Sequence, residues 1–126
     1  MQLSKRAIVL MLSALLTGPV FAGGKPEHGG QLVDVQGHHF ELVVEPEAKT
    51  THLDLFISDP ENQPVTTATV KLQITDPSGQ KSSLPLKYEG NHYTAVLSAP
   101  VKGEYRVVAL ATISGKKLNS RFNFKL

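Results

Sequence analysis

From Gln31 onward apolar side chains recur at every second position along nearly every run between turns, and this period constrains the fold more than any other feature of the chain. A period of two places alternate residues on opposite faces of an extended strand, so one face is buried and the other is wet. The stretch "ATVKLQIT" directs Ala68, Val70, Leu72 and Ile74 one way and Thr69, Lys71, Gln73 and Thr75 the other. "FELVV" does the same with Phe40, Leu42 and Val44, and "THLDLFIS" with Leu53, Leu55 and Ile57. Later runs, "SSLPLKY", "HYTAVLS", "EYRVVALAT" and "KLNSRFNFKL", repeat the pattern, the last burying Leu118, Phe122, Phe124 and Leu126.

Turn formers separate these runs: Gln36-Gly37, Asp59-Pro60-Glu61-Asn62, Asp76-Pro77-Ser78-Gly79, Gly90-Asn91 and Gly115-Lys116. Short alternating strands with frequent turns and no helical period predict an all-β fold, an immunoglobulin-like antiparallel β-sandwich of about seven to eight strands. Pro85 has no N–H to give to a ladder, so its strand belongs at a sheet edge. Tyr105, entering a late strand after Gly103, stands where a tyrosine corner would hydrogen-bond back across the sandwich, or serves as an ordinary core aromatic.

The first 22 residues read differently. Lys5 and Arg6 precede an apolar block from Ala7 to Leu16, followed by Pro19 and by Val20-Phe21-Ala22. This is the layout of a secretory signal peptide, cleaved after Ala22, and the apolar run is shorter than the roughly 20 residues a spanning helix needs. The expectation is therefore a leader at 1–22 and one β-sandwich domain at 23–126, in the periplasm or secreted, with no membrane attachment after cleavage. Two of the 13 Lys and Arg lie in the leader, so the domain balances its 11 acidic residues. Charges of both signs alternate along it without a basic stripe interleaved with aromatics, which argues against nucleic acid as a partner. The chain has no cysteine, which excludes disulfides and thiolate metal sites.

Catalytic motifs are missing. There is no nucleophile elbow, no His-Glu-x-x-His helix, no phosphate-cradling glycine loop and no dinucleotide fingerprint, and an enzyme is not expected. The chemistry concentrates in "EHGGQLVDVQGHHFELVVE", residues 27–45, which holds three of the five histidines. Neutral imidazoles offer lone pairs to borderline metals such as Zn(II), Cu(II), Ni(II) or Co(II). His39 and Glu41 share a strand face at roughly 6.5 Å between Cα atoms. His38 falls on the other face, with Phe40. If Gln36-Gly37 is a two-residue turn, Val35 pairs with His38 and Asp34 with His39, which leaves His28 at the far end of the hairpin beside Glu45, where it would not share a metal with His39 within one chain. His52 and His92 open other strands on polar faces, where a solitary histidine is usually only solvated.

The same residues, with "LDLFISDPENQPVTTATVKLQI" after them, resemble a small periplasmic domain with His-Gly-Gly followed by a Phe-Glu-Leu-Val strand, found at the front of heavy-metal efflux adaptors and in short secreted proteins. The Pro-Val-x-x-Ala-x-Val segment and "GEYRVVA" are similar to wider immunoglobulin-like periplasmic families. The resemblance implies a metal-associated domain with His28, His39 and Glu41 as the matching metal positions, and a metal-efflux or other envelope protein as partner. The helical hairpin, lipoyl-like domain and barrel of a full adaptor have no counterpart in this sequence. The expected function is a non-catalytic metal-binding or metal-handling accessory; the alternative is a structural or protein-interaction sandwich with incidental histidines.

Overall fold

The computed structural model describes residues 25–98 and 100–126, and the leader expected at 1–22 lies outside the described residues. Among the described residues, nine strands form two antiparallel sheets: β1 Gln31–Val35, β2 His38–Pro46, β3 Thr50–Ser58, β4 Thr69–Thr75, β5 Lys81–Pro85, β6 Lys87–Glu89, β7 His92–Ser98, β8 Glu104–Ile113 and β9 Lys116–Lys125. One sheet runs β1-β2-β3-β7-β6 and the other β9-β8-β4-β5. Taking β2, β3, β7 and β6 as strands A, B, E and D, and β4, β8 and β9 as C, F and G, gives the two-sheet order of an immunoglobulin-like sandwich. β1 is an added edge strand.

The ninth strand arises where one run was expected. "KSSLPLKYE" begins as β5, paired with β4, and ends as β6, paired with β7 in the opposite sheet. Pro85 removes the ladder donor, and the Leu86 N–H bonds instead to the Val70 carbonyl at 2.9 Å as the chain crosses between layers. A change of sheet does not disturb the apolar period, which is why the alternation reads as one strand. Pro85 does lie in an edge strand, as its missing donor requires.

Most of the residues expected inward form the core, while Val44, Ala68, Phe124 and Leu126 are only partly buried and pack against it. Phe40, Leu42, Leu53, Leu55, Ile57 and Tyr93 come from one sheet, and Val70, Leu72, Ile74, Val107, Leu118 and Phe122 from the other, each at most 5% exposed. Tyr105 is the corner residue: its hydroxyl donates to the Val101 carbonyl four residues upstream, and its ring stacks on Phe124. Tyr93 does similar work elsewhere, donating to the Val65 carbonyl at 2.7 Å and accepting from the Ala68 N–H at 3.0 Å. It thereby ties the connection between β3 and β4 to β7, and burial of its hydroxyl raises its pKa. The β1–β2 hairpin has the predicted register, with Val35 opposite His38 and Asp34 opposite His39. Its turn places Gln36 (φ 49°) and Gly37 (φ 81°) in the left-handed region, as the favoured two-residue hairpin turn requires.

Candidate metal-handling cleft

Glu41 belongs to the outward face of β2, opposite Phe56 of β3, yet it is only 4% exposed. A carboxylate so covered is costly unless its oxygens are hydrogen-bonded. The cover is the segment before β1. Gly29 takes a left-handed turn (φ 75°), and the chain folds back over the sheet instead of extending the hairpin. Glu41 Oε2 then accepts from the backbone N–H of His28 at 2.9 Å and of Gly30 at 2.8 Å, while Oε1 lies 2.9 Å from His28 Nδ1. Burial alone would push the Glu41 carboxyl up, but the bonds from the His28 side chain and from the Gly30 and His28 N–H groups outweigh it and hold the pKa below the ordinary value. Glycine suits position 30 because a Cβ there would come within 2.3 Å of the Leu42 carbonyl oxygen.

The expected position of His28, beside Glu45, is therefore corrected. The hairpin register holds, but the lead-in does not continue it, because Gly29 reverses the chain and Glu41 captures it. The His28 ring lies flat on Phe56, with centroids 3.6 Å apart and planes 8° from parallel. Phe56 also faces His92, at 5.2 Å. Its position between Asp54 and Ser58 on a face otherwise polar was the one sign in the sequence of an aromatic with a task outside the core.

An ionised carboxylate can only accept hydrogen bonds. The His28–Glu41 contact thus places a proton on Nδ1, and in the neutral ring leaves the lone pair on Nε2. His39 sits on the same sheet face, with Nε2 3.4 Å from Asp34 Oδ1. His28, His39 and Glu41 all line one open cleft of about 410 Å³, together with Leu32, Phe56 and Asn91. They do not form a three-residue ligand set: among the described residues no three His, Asp or Glu side chains are close enough to hold one ion. His38, expected to rim the core, is half-buried beside Phe40. His52 pairs with Glu47 at 3.1 Å, and His92 approaches Asp54 at 3.5 Å and the Asn91 side chain at 2.9 Å.

No protein-family model matches this chain, and no curated protein matches it at a significant level. Among solved structures, a DUF4426 family protein from Pseudomonas aeruginosa PAO1 is similar, with a TM-score of 0.63 and 12% identity over 80% of this chain and 97% of that one. At that identity the likeness is one of fold, a β-sandwich of similar extent.

Proposed function

We propose that this protein is a non-catalytic, extracytoplasmic metal-handling domain in which His28 Nε2, with His39 at the same cleft, takes up a divalent transition metal. One observation carries the reading: Glu41 grips His28 Nδ1 at 2.9 Å. An imidazole that binds metal through one nitrogen commonly donates its other N–H to a carboxylate, which fixes the tautomer and raises ligand basicity. Glu41 thus passes from the expected ligand to the group that orients one. With two imidazoles and water, the ion would be held loosely and released readily. That suits transfer to an envelope partner, such as the efflux machinery suggested by the resemblance, better than storage.

Zinc titration by calorimetry tests the reading. Binding weakens in acid, because the imidazoles must be neutral to ligate. His28→Ala and His39→Ala each lower affinity, and His38→Ala does not. Equal affinity in the wild type and the His28→Ala/His39→Ala double variant overturns it. The interaction-module reading then takes its place, since Glu41 has its bonds from the lead-in whether or not a metal is ever present. In that case the clasp serves only to shape the cleft around Phe56, and a photo-crosslinker at exposed Asn91 captures a partner while one at Ser78, in a distant turn, does not.

A further inference from the structure

Charges that look evenly mixed along the sequence are sorted by the sandwich. In β4, β8 and β9 the basic residues other than Lys116 occupy positions that alternate with buried ones, so they reach the same outer surface. Cross-strand registers make rows across β4, β8 and β9: Lys71, Leu110 and Asn119; Gln73, Val108 and Arg121; and Thr75, Arg106 and Asn123. Lys81 adjoins Thr75 from β5, Lys117 adjoins Thr112, and Lys125 lies opposite Glu104. Lys71, Lys81, Arg106, Lys117, Arg121 and Lys125 are all exposed, and Glu104 is the single acidic residue among these outward strand positions. Among the described residues none of the six is in a salt bridge. The opposite sheet carries Asp34, Glu41, Glu45, Asp54 and Glu89 against Lys87, so a near-neutral domain has one basic and one acidic face.

Two features indicate what the basic face meets. Its cations are spread over a sheet surface rather than gathered at a point; Lys117 to Lys125 alone spans about 27 Å of strand. Between them lie Val108 and Leu110, half-buried, and a groove of about 570 Å³ formed by Val70, Pro85, Leu110 and Ala111 and flanked by Lys71 and Lys117. A broad array of cations around apolar surface complements a plane of anionic headgroups with hydrocarbon beneath. Nucleic acid would call for aromatics among the cations, and this face has none.

We propose that the outer face of β9-β8-β4-β5 docks on an anionic phospholipid surface, so that the domain works at a membrane face without inserting a helix. Each cation near such a surface strengthens binding by about fivefold, and the attraction is screened by salt. The protein, purified from the compartment where it accumulates, is to be co-sedimented with vesicles of phosphatidylglycerol and, separately, of phosphatidylcholine. Binding to phosphatidylglycerol alone, lost as ionic strength rises, is the expected result. Phosphatidylcholine gives none, which also excludes insertion of any retained apolar leader. Arg106→Gln/Arg121→Gln weakens binding by roughly 25-fold with unchanged thermal unfolding. Lys87→Gln, on the other sheet, leaves it unchanged.

Equal binding to both lipids, or no effect of the double variant, overturns the proposal. So does displacement by inorganic phosphate beyond its ionic-strength effect, which would mean a discrete anion site. Retention by duplex DNA or by an acidic protein without vesicle binding overturns it as well and assigns the face to that partner.

Discussion

Glu41 holds His28 by two hydrogen bonds, one from the backbone N–H and one to the ring Nδ1, across thirteen residues of sequence, and takes a third from the Gly30 N–H, and by doing so turns a loose lead-in into part of the sandwich. The same contact buries a carboxylate, stacks an imidazole on Phe56 and selects which ring nitrogen carries the proton. Structure and proposed chemistry thus depend on one side chain.

Removing that carboxylate strands the N–H groups of His28 and Gly30 under the folded-back segment. Glu41→Ala is expected to cost about 1–3 kcal/mol, the penalty for orphaned buried donors, measured by urea unfolding. Gly30→Ala, which drives a Cβ into the Leu42 carbonyl, is expected to release the lead-in similarly, whereas Gly29→Ala meets open space and suffers only the strain of its left-handed backbone. Loss of the His28 ring-current shift in the Phe56 spectrum would report the release.

The core makes a sharper contrast between neighbours. Leu72 is fully buried and Lys71 is exposed on the opposite face of β4. Leu72→Ala is expected to cost about 2–5 kcal/mol and Lys71→Ala less than about 0.5 kcal/mol in the same unfolding experiment.

Two tyrosine hydroxyls are expected to rank differently. Tyr105→Phe removes a single bond to the Val101 carbonyl, in an exposed residue that water can reach, and costs about 0.5–1.5 kcal/mol. Tyr93→Phe removes two bonds that anchor the connection between β3 and β4, so it costs more and speeds amide exchange at Ala68.

Why some of this was readable in the sequence and some was not follows from the range of the interactions. These signals are local: alternation identified the strands and the buried face, the Gln36-Gly37 turn the hairpin register, and the missing N–H of Pro85 its edge position. Tyr105 was legible as a corner candidate because Gly103 and the strand entry lie next to it. The change of sheet at Leu86 leaves the period intact and was invisible. The folding back of His28 depends on a carboxylate thirteen residues away and on the left-handed turn at Gly29, so the residues of the cleft could be named but the grip of Glu41 on His28 could not. The basic face was hidden for a related reason: charges that alternate with apolar residues look dispersed along a strand and gather only when three strands align.

Acid should open the clasp late. Because the Glu41 carboxyl is held below its ordinary value of 4.5, its contribution to stability is complete above that value and is lost as pH falls through the lower folded one. Amide exchange at His28 and Gly30, followed by NMR, is expected to remain slow through mildly acidic conditions and to accelerate only below about pH 4.5.

The tautomer of His28 tests the account most directly. Long-range ¹H–¹⁵N correlation of its ring at mildly alkaline pH is predicted to show the proton on Nδ1 and a bare Nε2, with the Nε2 resonance shifting on addition of Zn(II). In Glu41→Gln the preference for that tautomer should weaken, since the carboxylate that enforces it is gone. A ring protonated on Nε2 in the wild type, with no change in its nitrogen shifts when zinc is added, would contradict both the clasp as described and the role proposed for it.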